Sequence, residues 1–184
     1  MAEITQNSGM QNAHIAHLFE ELADLLEIDG ANPFRVRAYR SGARTIEGLS
    51  TPLAAIAQQG VAALKELEGI GDDLAQKIVT IIETRALPQL EELRGRIPAD
   101  VRAMLRISGI GPKKVAAIWK ELHLDTREQL QAAAERGDVA RLKGFGAKTA
   151  QIILDGLAQL ATAGQRYRLA DAKTAVDEIA ADLL

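Results

Sequence analysis

The stretch RISGIGPKKVAAIW, residues 106–119, decides the fold because its pattern occurs three times in the chain. The copies align as LEGIGDDLAQKIV (67–79), ISGIGPKKVAAIW (107–119) and LKGFGAKTAQIIL (142–154). Each contains a glycine–apolar–glycine triplet, a small apolar residue six positions after the first glycine and an isoleucine nine positions after it. Repetition of this kind indicates one supersecondary unit that is used several times.

The repeated pattern predicts a tight hairpin between two helices. Glycine permits positive φ, and the apolar residue between the two glycines is expected to point inward and anchor the turn. The second helix then begins at once, and the free N–H groups and positive dipole end of such a helix bind phosphate. An αα-hairpin that uses glycine only to turn tightly is the alternative. The predicted backbone-binding residues are the glycine pairs and the lysines that follow them: Gly69, Gly71, Gly109, Gly111, Lys113, Lys114, Gly144, Gly146 and Lys148.

The composition of the 184 residues favours helices throughout. Apolar residues make up 47% of the chain but aromatic residues only 3%, a balance that suits close-packed helices better than strands. Apolar residues also recur at helical spacing over residues 12–28, and we predict an all-α fold of two small helical domains built around three hairpins. The absence of cysteine excludes disulfides and thiolate metal sites, and it suits a cytoplasmic protein.

Charge is unevenly distributed along the chain, although the net charge is only −3. Residues 1–30 carry six acidic residues and no lysine or arginine, and residues 31–44 carry four arginines and no acid. Residues 101–173 hold 13 bases against 7 acids. Since a local basic patch matters more for nucleic-acid contact than the overall charge does, the acidic average does not exclude DNA as a partner.

The three copies resemble the helix-hairpin-helix motif, which binds the DNA backbone without reading sequence. Together with IAHLFEELADLLEI (15–28), NPFRVRAYRSGARTIEGL (32–49) and RLKGFGAKTA (141–150), they make the chain similar to the N-terminal part of a bacterial family X DNA polymerase. The resemblance implies a small domain over 1–95 that binds gaps and 5′-phosphates, a duplex-binding helical domain over 96–165, and a helix over 166–184 leading to a palm domain. It further implies a monomer that binds gapped or nicked duplex DNA during base excision repair, associated with the bacterial nucleoid.

The resemblance also implies particular site residues. The 5′-phosphate pocket maps to Arg35, Tyr39, Arg40 and Lys65, and a lyase nucleophile that forms a Schiff base maps to Lys77. With DNA bound, a Na⁺ or K⁺ ion is expected at the hairpins, held in the second copy by the backbone carbonyls of Leu105, Ile107 and Ile110. Asp73 departs from the family, which places a phosphate-binding lysine at that position.

The palm domain of the family, with its Gly-Ser signature and Asp-x-Asp pair for two Mg²⁺ ions, has no counterpart in this sequence. We therefore expect no polymerase activity from this chain and no cofactor within it, and we expect a palm domain, with or without a phosphoesterase domain, in the full-length protein. The main prediction is DNA binding that does not depend on sequence. Two alternatives remain open: 5′-deoxyribose phosphate lyase activity through Lys77, and a helical scaffold that binds other proteins.

Overall fold

The computed structural model describes residues 2–162, and for residues 2–11 only the course of the backbone. It divides into two compact units, Met1–Arg102 and Ala103–Leu184. All regular elements in the described range are helices and none is a strand, so the all-α prediction is confirmed. The predicted domains, 1–95, 96–165 and 166–184, stay predictions, and the last of them lies outside the described residues.

The first unit is a cluster of short helices packed on one long helix. Its core is formed by apolar side chains of α1 and α2, with α5 and α6 contributing the remaining faces; Phe19 and Tyr39 meet edge to face at 5.7 Å near its centre. The helices are α1 (Ala2–Asp29), α2 (Pro33–Glu47), α3 (Leu53–Ala57), α4 (Val61–Lys65), α5 (Asp72–Thr84) and α6 (Pro88–Arg96), and α7 (Ala99–Ala103) crosses the point of division.

Helix α2 positions the arginine-rich stretch. It begins as the sequence predicts, with Pro33 in its first turn and the Asn32 side chain accepting a hydrogen bond from the backbone N–H of Phe34 at 2.8 Å. Its inward face is apolar, with Val36, Ala43 and Ile46 buried. The arginines therefore lie on the other sides of the helix, where solvent or acidic neighbours can reach them.

Much of the acidic charge of α1 is neutralised by arginines from other helices of the first unit. Arg94 on α6 binds Glu21 at 2.5 Å, and Arg96 binds Asp29 at 3.0 Å. The hydrogen bond from Arg94 holds the pKa of Glu21 below its usual value even though partial burial opposes this. The segregation of charge seen in the sequence thus serves, in part, to join α1 to α2 and α6.

Asn12 fixes the connection between α2 and α3. Its side chain is 3% exposed, accepts the N–H of Leu53 at 2.9 Å and donates to the carbonyl of Thr51 at 2.9 Å. Both backbone groups lose this partner when the amide is removed, but only Leu53 is buried, and a buried polar group without a partner costs free energy.

Replacing Asn12 by alanine is expected to lower the free energy of unfolding by about 1–3 kcal/mol, because the buried N–H of Leu53 is left without a partner. Urea titration followed by circular dichroism measures the change. Asn32→Ala is the matched control, since it removes one exposed capping bond worth about 1 kcal/mol. Equal losses for the two variants would show that Asn12 does not hold the connection.

The second unit carries the other two hairpins. It contains a 3₁₀ turn (Met104–Arg106), α8 (Pro112–Leu122), α9 (Arg127–Glu135), a second 3₁₀ turn (Val139–Arg141) and α10 over 147–162, the last part of the chain that is described. Thr126 and Gln129 cap the start of α9 reciprocally. Gly156 on α10 approaches Ile107 so closely that a Cβ at Gly156 would lie 2.4 Å from that side chain, and this contact holds the second hairpin turn against α10.

Candidate nucleic-acid interface

The three repeated turns have the same backbone conformation at their first glycine. Its φ is +75° at Gly69, +83° at Gly109 and +82° at Gly144, values that residues with a Cβ rarely adopt. Each turn is closed by a hydrogen bond that the residue after this glycine donates to the carbonyl three residues back, at 3.0–3.1 Å. The first glycine is thus required by the fold itself.

The second glycine of each turn has no such requirement. Gly71 and Gly111 have φ of −90° and −93°, which any residue can adopt, and Gly146 is not among the glycines with positive φ. A Cβ built on Gly71, Gly111 or Gly146 would meet no atom within 4 Å. Each of them immediately precedes a helix, where serine or aspartate would cap the helix better than glycine. The space above each second glycine therefore faces away from the protein.

The apolar residue between the glycines anchors the turn in two copies. Ile70 and Ile110 are buried, as predicted. Phe145 is only half-buried, and the ammonium group of Lys114 lies 6.0 Å from the centre of its ring. In the third copy the residue between the glycines thus also contacts a cationic side chain of the second hairpin.

The second and third turns present cationic side chains at the start of a helix. Lys113 and Lys148 occupy equivalent positions two residues after the second glycine, and both are exposed. Lys114 is half-buried and its ammonium donates a hydrogen bond to the carbonyl of Gly109 at 3.2 Å. Positive side chains at the positive end of a helix are unfavourable in isolation, so both helix starts combine an open glycine with an excess of positive charge.

The first turn has the opposite electrostatics, because α5 begins with two aspartates. Asp72 binds the ammonium of Lys65 at 2.5 Å. Asp73 accepts a hydrogen bond from the hydroxyl of Tyr39 at 2.6 Å and is also bound by the ammonium of Lys77. Two carboxylates of the chain thus occupy the helix start where the other copies present lysine.

The pKa is shifted from its ordinary value in three side chains of this cluster: Lys77, Tyr39 and Asp73. Burial, which by itself lowers the pKa of Lys77, is outweighed by hydrogen bonds with Asp73 and Tyr39, so this pKa lies above its ordinary value. Burial likewise opposes the ionised form of Asp73, yet the hydrogen bonds from Lys77 and Tyr39 lower its pKa. Burial and the Asp73 carboxylate raise the pKa of Tyr39. At neutral pH the site holds an ammonium, a carboxylate and a neutral phenol.

The structure brings together some residues of the predicted 5′-phosphate pocket and not others. Arg35 is exposed and close enough to Asp73 to favour its charged form, and the Tyr39 hydroxyl binds the same carboxylate. Arg40 instead binds Asp24 at 2.9 Å and Glu27 at 2.6 Å on α1. The role of these residues in phosphate binding stays a prediction.

An exposed aromatic side chain lies in the first turn of α2. Phe34 is 74% exposed, and the guanidinium of Arg37 lies 4.5 Å above the centre of its ring. A large apolar ring in water costs free energy, and a guanidinium stacked on it presents a flat cationic face. The sequence marks Phe34 only as an aromatic residue in a basic stretch, since its exposure depends on which face of α2 is buried.

The predicted cation site consists of backbone oxygens, the donor type that hard cations prefer. Ile107 already accepts the N–H of Ile110 at 3.0 Å, and a carbonyl oxygen has a second lone pair. The donor chemistry of these carbonyls therefore suits a Na⁺ or K⁺ ion that a DNA phosphate also binds. The presence of such an ion stays a prediction. Residues 12–162 contain no cluster of three or more histidine or acidic side chains arranged to hold a metal.

Two known domain families match the chain. A helix-hairpin-helix domain matches residues 10–87, and a tandem of helix-hairpin-helix motifs matches residues 101–159. These ranges contain all three repeated turns and most of the helices on either side. The chain therefore contains helix-hairpin-helix domains over these two ranges.

The chain is also similar to individual proteins. The chain is 31% identical over 170 residues, or 92% of its length, to the DNA polymerase/3′-5′ exonuclease PolX of Bacillus subtilis. It is 42% identical over 73 residues to the Holliday junction branch migration complex subunit RuvA of Alkalilimnicola ehrlichii, covering 34% of each chain. The match spans only 29% of the length of PolX, so the chain is similar to one region of that polymerase.

The relatives are bacterial, as the sequence predicts. Among the residues that the structure describes, no helix has the length and apolar character needed to cross a lipid bilayer.

Proposed function

We propose that this chain binds duplex DNA through its sugar–phosphate backbone, without reading sequence, and serves as the DNA-binding part of a PolX-type repair polymerase. The observation that carries the proposal is the second glycine of each turn. Neither its φ nor any neighbouring atom requires glycine at Gly71, Gly111 or Gly146, yet all three copies have it. A residue without a side chain lets an outside group approach the N–H groups of a helix start, and a phosphate suits that position.

The charges of the second unit support binding to a polyanion. Lys113 and Lys148 lie in the first turns of α8 and α10 and extend into solvent. Helix dipole and lysine then act on the same phosphate, which offsets the cost of placing positive charge at the positive end of a helix. Contacts of this kind fix a protein on the DNA backbone but carry no sequence information.

A preference for gapped DNA is proposed from the first unit. Phe34 and Arg37 form an exposed flat surface, and Arg35 extends from the same helix. Aromatic rings and guanidinium groups stack on bases that are not covered by a neighbour, and a gap exposes such bases. Intact duplex offers no unstacked base, so this surface contributes only where a strand is interrupted.

The state of Lys77 favours a binding role over lyase chemistry in the wild-type chain. A lysine must lose its proton before it attacks a sugar aldehyde, and Asp73 holds this one as an ammonium.

The other alternative, a helical scaffold that binds other proteins, predicts that the chain has no salt-dependent affinity for DNA.

Fluorescence anisotropy with labelled intact and gapped duplexes tests the gap preference. We expect gapped DNA to bind several-fold tighter than intact duplex. Phe34→Ala with Arg37→Ala is expected to remove most of this difference, because base stacking contributes about 1–3 kcal/mol per base. The matched control is Arg85→Ala, which lowers the charge of the same unit away from α2. Equal affinity of the wild type for both duplexes would refute the gap preference. Backbone binding would still be tested separately, by the salt dependence of the affinity for DNA.

A further inference from the structure

The first hairpin differs from the other two in what its helix start already holds. Asp72 and Asp73 occupy the first two positions of α5, and they bind three groups that could otherwise bind a phosphate: Lys65, Tyr39 and Lys77. The second and third hairpins carry no acidic residue in the corresponding turn. The first turn of α5 thus carries two negative charges, although no side chain caps its N–H groups.

Asp73 holds the most enclosed of these contacts. The side chain of Lys77 is only 18% exposed, although that of Asp73 is 59% exposed. The Lys77 ammonium also lies 5.8 Å from the centre of the Tyr39 ring, and the Tyr39 hydroxyl binds the other oxygen of Asp73. The charged and titratable groups around Lys77 are therefore Asp73 on its own helix and Tyr39 on α2, with Arg35 acting on Asp73 from the solvent side.

We propose that Asp73 determines which DNA ends the first hairpin accepts, by keeping Lys77 protonated and by placing a negative charge where a phosphate would approach the start of α5. In this state the hairpin accepts a DNA end without covalent chemistry and gains little from a 5′-phosphate. Removing the negative charge of Asp73 frees the amine of Lys77 and also removes a charge that repels a phosphate from the start of α5. The biological setting of the inference rests on the proposed function, but its test needs no DNA.

The test measures the reactivity of Lys77 toward an aldehyde. The free amine of Lys77 attacks the aldehyde carbon of pyridoxal, the carbonyl oxygen leaves as water, and a C=N bond forms. Borohydride then adds hydride to that carbon and leaves a stable secondary amine, which peptide mass spectrometry locates and counts. Pyridoxal and pyridoxal 5′-phosphate are compared, because they share the aldehyde and differ in the phosphate.

In the wild type we expect Lys77 to be labelled more slowly than the exposed Lys113 of the same molecule. In Asp73→Asn, labelling of Lys77 by pyridoxal is expected to rise at least about tenfold, because loss of the carboxylate lowers the pKa of the amine. The pH profile of labelling moves to lower pH for the same reason. The increase with pyridoxal 5′-phosphate is larger still, since a helix start with one negative charge fewer also attracts its phosphate.

Asp72→Asn is the matched control, since Asp72 lies in the same turn but binds Lys65. It is expected to leave the labelling of Lys77 by pyridoxal within twofold of the wild type. Circular dichroism checks that both variants are folded, and Asp73→Ser provides a second removal of the charge if Asp73→Asn is not.

An unchanged rate at Lys77 in Asp73→Asn overturns the proposal, as does a wild-type Lys77 that reacts as fast as Lys113. Acceleration with pyridoxal 5′-phosphate alone also overturns it, because the amine would then already be free in the wild type. Failure of the DNA-binding proposal leaves these rates unaffected, so the two failures are distinguishable.

Discussion

Simultaneous replacement of Lys113, Lys114 and Lys148 by glutamate is expected to weaken binding to duplex DNA at least about 100-fold at low salt. Each charge-assisted contact to a phosphate contributes about 1.5–3 kcal/mol, and reversal of charge adds repulsion to the loss of the contact. Because fewer counterions are then displaced from DNA, the slope of log K against log salt becomes shallower by about one unit for each lysine that contacted a phosphate. Anisotropy titrations at several salt concentrations measure both quantities.

A second charge-reversed variant separates local contacts from overall charge. Arg44→Glu, Arg85→Glu and Arg136→Glu change the net charge equally but lie outside the hairpin turns. We expect this variant to lose affinity only a few-fold, through long-range repulsion that salt screens. Similar losses in both variants would mean that binding follows net charge and that the hairpins have no special part in it.

Replacement of Gly111 and Gly146 by aspartate is expected to affect stability and DNA binding in opposite directions. Aspartate caps a helix better than glycine and interacts favourably with the helix dipole, so α8 and α10 gain about 0.5 kcal/mol each. The open space at both positions accepts the side chain without a clash. The same carboxylate occupies the N–H groups that a phosphate would use, and affinity for duplex DNA falls at least about 30-fold.

The control for this variant places two acids elsewhere in the second unit. Ala158→Glu with Gln159→Glu adds the same charge on the exposed side of α10. Thermal unfolding and anisotropy titration are compared for both variants. If Gly111→Asp with Gly146→Asp binds DNA like the wild type, the open glycines are not the points at which the backbone approaches.

The local parts of the fold could be predicted from the sequence because they depend on neighbouring residues. The start of α2 at Pro33 and the starts of α5 and α8 directly after Gly71 and Gly111 follow from proline and glycine chemistry within a few residues. The burial of Ile70 and Ile110 follows from the same turn geometry. Phe145 differs, since its ring also meets Lys114, a residue 31 positions earlier in the chain.

The partners of the charged residues depend on packing that no local pattern reveals. Spacing places Arg40 on one face of α2, but only the position of α1 shows that Asp24 and Glu27 bind it. Asp73 is visible in the sequence as a departure from the family, yet its bond to Tyr39 joins residues 34 positions apart. The open space above the second glycines likewise becomes evident only when the surrounding helices are in place.

The affinity of the wild-type chain for two intact duplexes of unrelated sequence, measured as a function of salt, tests the central claim most directly. Backbone binding through the hairpins predicts the same affinity for both duplexes and the same linear fall of log K with log salt, with a slope of about −0.9 for each phosphate contacted. The claim is contradicted by an absence of binding at low salt, by affinity that salt does not change, or by a strong preference for one of the two sequences.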